Sequence, residues 1–407
     1  MIQNLAQKSY TLYDTDKNGR KIDIHKFQKV IFSKNFSFYP CVMFKSHDRV
    51  HYPVQERIMS LGTAQRQIDY QKASFKKAHH IFNDPVFYFI YNTENYYHFI
   101  YDSLPYLISF FHIKKQHANL KLLVNFISPN QKKIYKFVLE FLQILGIHSD
   151  DTLVVDENLC YKTVFVSSSY THGVDSNLPP RKEVYDFYKS LVRSARVKHS
   201  ASNLPSKFYV SRRTWVHNDF SNIGTNYTTR RKLVNEDVLV EKLSYLGYEE
   251  VFTENLSTVE KVLLFNNAEH IIGAIGGGMC NVLFCPDKTK VTVLISPTFL
   301  EANQRFLHSF KNNKVDFFDD TFHTESDEWK LYMRVKSGNI VGEINDIQND
   351  NLIISYTDKP ISGWNSQDRF KKAIRKKAEC LALDQGLNSF WGLDVDKFIN
   401  FIRKSQY

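Results

Sequence analysis

The sequence predicts an α/β fold made of two Rossmann-like halves. Three observations lead there. Short apolar runs alternate with stretches of helical period along most of the chain, the pattern of strand–helix–strand units on a parallel sheet. A helical segment between proline-containing ends, Ser176–Lys207, separates two blocks of that pattern. In the second block the apolar run His270–Ile275 ends in Gly276, Gly277 and Gly278, and another apolar segment follows at once. That reads as a buried strand, a tight turn and the start of a helix.

The elements follow in order. Residues 1 to about 80 are mixed in pattern and carry no assignment. Asp84–Asn92 (DPVFYFIYN) reads as a buried strand, followed by a helix from about Glu94 to Phe111. Leu120–Ile127 is a strand, and Lys133–Ile147 a helix with Gly146 near its end. Thr152–Asp156 and Thr163–Ser169 add strands. The second half repeats the theme from a strand at Lys207–Arg212. Asn235–Tyr248 is a helix with Leu239, Leu243 and Leu246 at helical spacing and Gly247 as its stop. Glu249–Glu254 is a short strand. The helix Ser257–Ala268 opens with Ser257 and Glu260 in capping-box spacing. His270–Ile275 and Lys290–Ser296 are strands. The expected domains are therefore 1–190, 200–345 and a helical extension, 346–407, carrying the basic stretch Arg369–Leu383.

Composition narrows the class. A length of 407 residues exceeds one typical core. Hydrophobic content of 43% and charge of 24% are ordinary for a soluble globular protein. The net charge is +10, from 53 Lys+Arg against 43 Asp+Glu. That balance suits nucleic acid, an anionic membrane surface or phosphate-bearing substrates, or simply a basic solvated surface. Nucleic-acid binding rests on charge alone. Five cysteines show neither metal spacing nor an even framework, which fits reduced thiols in a cytoplasm. No apolar run is long enough to span a bilayer, and the first twenty residues lack an apolar signal core.

Three constellations carry chemistry. In YNTENYYHFIYDSLPYL, Asn95, His98 and Asp102 stand at i, i+3 and i+7, on one helical face. Asp102 can orient the His98 imidazole, an arrangement suited to a general base that deprotonates an acceptor hydroxyl. The same pair would equally serve as a buried anchor between helix and sheet. The second constellation is Arg212-Arg213 directly after a strand, with Arg230-Arg231 further on. Guanidinium groups at a strand's carboxyl end can grip a diphosphate bidentately, although surface arginines look the same in sequence. Glu236, at the following helix start, can hold a ribose or an arginine, or merely favour the helix start. The third is the glycine turn. Glycines there permit positive φ and close backbone approach, and the helix start favours an anion. As a dinucleotide fingerprint it is incomplete: Asn281 stands where the third glycine belongs, and no acid follows about twenty residues on. Phosphate binding fits better than a nicotinamide cofactor. Asp14-Thr-Asp16-Lys-Asn-Gly looks like the start of a calcium loop or a metal-binding Asp-x-Asp, but its twelfth position is His25 rather than Glu. The histidines lack zinc spacing, and no metal is expected.

These pieces occur in an order that resembles glycosyltransferase family 61. NYYHFIYDSLPYL is similar to the family's Asn-x-x-His…Asp…Leu-Pro segment. FYVSRR followed by RRKLVNED is similar to its strand-Ser-Arg, then Arg…Asn-Glu. ENLSTVEKVLLFNNAEHIIGAIGGGMCNVLFCP resembles its Leu-Ser…Glu…Phe…Gly-x-His-Gly-Ala-Gly-Leu-x-Asn block, with Ile275 where the family has histidine. The resemblance runs from about Val86 to Phe306. It implies a GT-B fold and an inverting, metal-independent transferase that uses a nucleotide-sugar donor and no cofactor. Arg212, Arg213, Arg231, Glu236, Gly276, Gly277, Gly278 and Asn281 would hold the donor. His98 and Asp102 would act on the acceptor, with Asn95 beside them. It further implies a cytoplasmic enzyme that builds surface polysaccharide or glycolipid, working on a glycan or lipid-linked acceptor. The basic tail Lys371–Lys377 would meet anionic lipid or close the fold as a helix. The alternative is a module of the same fold that binds a nucleotide or glycan without turnover.

Overall fold

The structure, a computed structural model, describes residues 8–33, 44–46, 49–51, 74–89, 96–125, 134–171, 178–198, 203–213, 233–297, 304–310, 313–323, 341–348, 351–357 and 391–405. Its first sheet has nine strands: β1 (Lys8–Tyr13), β2 (Ile22–Phe32), β3 (Phe44–Ser46), β4 (Arg49–His51), β5 (His80–Phe82), β6 (Val86–Tyr88), β7 (Lys121–Val124), β8 (Thr152–Val154) and β9 (Leu159–Ser167). The path runs β4-β3-β2-β9-β6-β7-β8, with β1 on β2 and β5 on β9. Strands β5 to β9 pair in parallel, as alternation with helices requires. The unassigned N-terminus supplies the rest: β1 to β4 form an antiparallel meander, joined to β9 through β2.

The helix expected over Glu94–Phe111 is broken. A turn of α1 (Tyr96–His98) passes into a π-helical stretch, Phe99–Ser103, before α2 (Tyr106–Lys114). Pro105 has no N–H to continue an α-helical ladder, and Leu104 N–H reaches back five residues to Phe99 O at 2.8 Å. Single π turns of this kind recur at functional sites. Helices α3 (Lys136–Ile144) and α4 (Lys182–Lys198) follow. Gly146, just past α3, has φ +76°, a left-handed stop that a Cβ would strain.

The second sheet is wholly parallel: β10 (Lys207–Val210), β11 (Glu249–Val251), β12 (His270–Ala274), β13 (Lys290–Leu294) and β14 (Lys314–Phe318), in the order β11-β10-β12-β13-β14. Between them run α5 (Glu236–Ser244) and α6 (Thr258–Asn267). The capping box is present: Glu260 N–H donates to Ser257 Oγ at 3.3 Å, and Ser257 N–H to Glu260 Oε2 at 2.7 Å. A two-stranded pairing joins β15 (Thr321–His323) to the late strand β18 (Trp391–Leu393). Strands β16 (Val341–Gln348) and β17 (Asn351–Thr357) form a hairpin that runs through residues 345 and 346. The final helix α7 (Val395–Ser405) packs on α5. The C-terminal segment is thus not all helical. The stretch Arg369–Leu383 lies outside the described residues.

Two apolar clusters hold this together. The larger runs without interruption from Ile22 on β2 to Phe310, because α3 and α4 of the first half pack against α6 and the segment after β12. The smaller covers the other face of the second sheet, with Leu239 and Leu243 of α5 meeting Trp391, Phe398 and Ile402. Among the described residues, no helix is long and apolar enough to cross a membrane.

Candidate active site

The second sheet positions the site by its topology. Its strand order, read in chain order, is 2-1-3-4-5, so connections leave β10 and β12 in opposite directions. Ligands in such sheets bind in the crevice beyond the carboxyl ends of these two strands. The register Val210↔Gly273 puts Arg212 alongside Ile275 and Gly276 there.

Of the two expected reasons for glycine here, positive φ and close approach, the second holds, at Gly276 and Gly278. Gly276 has φ 168°, extended backbone open to any residue, whereas the left-handed φ values among the described glycines fall at Gly19, Gly146 and Gly247. The constraint is space. A Cβ on Gly276 would lie 2.4 Å from Nη1 of Arg212, so the guanidinium rests on the bare turn. A Cβ on Gly278 would meet Val210 Cγ1 at 3.0 Å and Thr253 Oγ1 at 3.1 Å, whereas one on Gly277 meets nothing within 4 Å. The segment that follows, Gly277–Phe284, is a 3₁₀ helix rather than an α-helix.

Glu236 sits beneath Arg212. Its Oε1 accepts the Arg212 backbone N–H at 2.7 Å, the Tyr209 hydroxyl at 2.9 Å and the Ser211 hydroxyl at 3.3 Å. Burial raises the Glu236 pKa despite these donors, and burial lowers that of Arg212 although Glu236, Tyr209 and Glu254 oppose it. The carboxylate therefore orders the strand end that presents the arginine. Arg213 turns elsewhere: Nε and Nη2 each donate to Glu250 on β11 at 2.6 Å, a bidentate pair that raises the Arg213 pKa. Arg231 and its neighbour Arg230, like Asn95, lie outside the described residues.

The first half reaches this crevice through Tyr96. Its hydroxyl donates to Asn281 Oδ1 at 2.8 Å, and Asn281 Nδ2 donates to Gly278 O at 2.8 Å. The Asn281 amide thereby ties the glycine turn to the segment bearing His98. Over the Tyr96 ring, 4.9 Å from its centroid, stands the Lys261 ammonium. Burial lowers the Lys261 pKa, against the opposing charge of Glu140.

His98 and Asp102 meet as their spacing predicts, Nδ1 to Oδ2 at 2.7 Å, with Asp102 fully buried. The other carboxylate oxygen accepts the Thr171 hydroxyl at 2.9 Å and Arg305 Nη2 at 2.5 Å. The sequence reading missed Arg305, Thr171, Tyr96 and Lys261. Tyr96 and Lys261 lay within quoted motifs without being singled out; nothing in QRFLHSF marks Arg305 as the partner of Asp102. The Asp14–Gly19 turn is also explained: Asp16 Oδ1 accepts the Asn18 and Arg20 N–H groups at 2.9 and 2.8 Å. No group of three or more His, Cys, Asp or Glu able to hold a metal occurs among the described residues.

The crevice, with a guanidinium over a glycine turn and a His–Asp pair tied to it, spans the region where known proteins are informative. Residues 96–292 match the family model of glycosyltransferase 61. Over that span the chain is similar to glycosyltransferase family 61. No curated protein matches the chain. The family 61 match covers His98, Asp102, Arg212, Glu236 and the whole glycine turn, and its members' chemistry, sugar transfer, implies a donor and an acceptor substrate.

Proposed function

We propose that the protein is an inverting glycosyltransferase that moves a sugar from a nucleotide-sugar donor to a hydroxyl of a surface polysaccharide or glycolipid, without metal or cofactor. The observation that carries this reading is the Arg212 guanidinium lying on Gly276 at the switch point of the parallel sheet. A diphosphate seated there meets a guanidinium and the N–H groups that open the 3₁₀ helix. On this reading the fold is GT-B-like, with residues 1–190 serving the acceptor, 200–345 the donor and 346–407 closing the molecule.

The reaction runs in one displacement. His98 Nε2 takes the proton of the acceptor hydroxyl as its oxygen bonds to the anomeric carbon. The bond from that carbon to the diphosphate oxygen breaks on the opposite face. Arg212 offsets the charge left on the departing nucleoside diphosphate. Glu236 holds Arg212 in place, Arg213 anchors the same strand end through Glu250, and Asn281 keeps the turn against the His98 segment. Asn95 and Arg231 complete the acceptor and donor sides. The enzyme works in the cytoplasm, where its basic tail meets the anionic inner face of a membrane.

The test is a panel of nucleotide sugars, with free nucleoside diphosphate measured in EDTA, with and without crude glycan or glycolipid acceptor. Release from one donor supports the reading. Nucleotide binding with no turnover on any donor and acceptor supports the non-catalytic module instead, and dependence of turnover on added divalent cation refutes the metal-free mechanism.

A further inference from the structure

A histidine that is to act as a base must be uncharged, yet a carboxylate at its Nδ1 favours the charged ring. Asp102 stands 2.7 Å from His98 Nδ1 and is fully buried, so its field is weakly screened. The structure supplies a counter-charge. Arg305 Nη2 donates to the other carboxylate oxygen at 2.5 Å, and the two side chains are 10% and 0% exposed. The guanidinium lies 5.3 Å from the Tyr101 ring centroid, and the neighbouring Phe306 stacks on Tyr97 at 4.4 Å and 16°. Thr171 fixes the same oxygen from the end of the first sheet.

Among the described residues, several tyrosines also face the pair. Tyr97 and Tyr101 lie on its own segment, and Tyr185 and Tyr188 come from α4. Burial raises Tyr101 and Tyr188 well above the usual phenol value and Tyr185 to about 12, so these three are neutral at physiological pH. Arg305 brings a positive charge to this cluster. Burial by itself would lower its pKa, but the charge of Asp102 and the hydrogen bond to it leave it raised.

We propose that Arg305 is a positioning residue that acts through Asp102. By anchoring and neutralising the carboxylate it keeps His98 uncharged, with the proton on Nδ1, so that Nε2 is the nitrogen that takes the acceptor's proton. This rests on the assignment of His98 as the base. Arg305 belongs to the segment Gln304–Phe310, beyond the second sheet's β13, whereas His98 belongs to the first half. The donor half thus sets the protonation state of a base it does not carry.

The experiment uses full-length protein labelled with [15N]histidine, the His98 ring signals being assigned by their loss in His98→Gln. In wild type, His98 is expected as the Nδ1–H tautomer near neutral pH. Arg305→Gln keeps hydrogen-bond donors but removes the charge, and should move the ring's protonation to higher pH. Arg305→Lys restores the charge and should return it toward wild type. With a donor and acceptor in hand, Arg305→Gln should lower kcat tenfold or more at neutral pH, shift the acid limb of the kcat profile upward and leave the donor KM within twofold. A folded Arg305→Gln protein with the wild-type tautomer and titration would overturn the proposal. Identical titrations of the Gln and Lys variants would do the same. Full transfer activity in His98→Gln would instead overturn the assignment of the base, and leaves the titration shift to stand or fall by itself.

Discussion

Replacing Gly276 by alanine separates function from folding. The backbone there is extended, so alanine introduces no strain, and it removes some freedom from the unfolded chain, worth about 0.4–1 kcal/mol. The difficulty is the new methyl, 2.4 Å from Arg212 Nη1. An ordinary contact needs roughly 3.5 Å, so the guanidinium must withdraw by about 1 Å. The tip of a long side chain moves at little cost, and the expected change in Tm is within a few degrees. The group displaced is nevertheless the one assigned to the diphosphate. A misplacement of about 1 Å in a positioned group is worth as much as 10²-fold in rate, and a tenfold loss of affinity corresponds to about 1.4 kcal/mol. Nucleoside diphosphate affinity measured by calorimetry should therefore fall at least tenfold in Gly276→Ala. Gly278→Ala should behave in the opposite sense. Its methyl meets the stiff, branched side chains of Val210 and Thr253, and overpacking of that kind costs about 1–3 kcal/mol of stability. Gly277→Ala, with nothing within 4 Å, should leave Tm unchanged. Wild-type nucleotide affinity in a folded Gly276→Ala protein would refute the placement of the donor phosphates beside Arg212.

Other outcomes follow from the same contacts. Arg212→Ala should abolish transfer while leaving the circular dichroism spectrum and Tm close to wild type; retained activity removes the arginine from the mechanism. Arg213 and Glu250 form a bidentate pair at a partly exposed position, so a double-mutant cycle on Tm should return a coupling of about 1 kcal/mol. Tyr96→Phe leaves the buried Asn281 carbonyl without its donor, and urea melts should show a loss of about 1–3 kcal/mol. His25 and His270 are 1% and 5% exposed, and burial lowers both to about 4 from 6.5. The unfolded chain binds these protons more tightly, so their contribution is complete above pH 6.5 and is lost as pH falls toward 4, by up to about 3 kcal/mol each. Urea midpoints should drop across that window, and His270→Gln should flatten the slope.

Local chemistry made much of this legible in the sequence. Periodicity marked the helices around Leu239 and Val262, the Ser257–Glu260 box was visible as spacing, and His98 and Asp102 met because four residues make one helical turn. Alternation of strands and helices gave the parallel second sheet. The antiparallel meander β1–β4 was not legible, since its pairings set residues such as Lys8 against Lys26 without a clear period in either strand. Nor was the π turn, which depends on Pro105 and on Tyr188 bonding to the Ile100 carbonyl from another helix.

The amino-acid sequence by itself determined which side chains the chain has to offer: two arginines at a strand end, a glycine run after an apolar strand, and a histidine and an aspartate one turn apart. Tertiary structure decided what each of them does. The register Tyr209↔Glu250 gives Arg213 to a carboxylate, whereas Arg212, one residue earlier, falls on the bare turn at Gly276. Packing of Gln304–Phe310 against the first half brings Arg305 to Asp102. Contacts of this range have no local signature, because strand register and the docking of distant segments fix them.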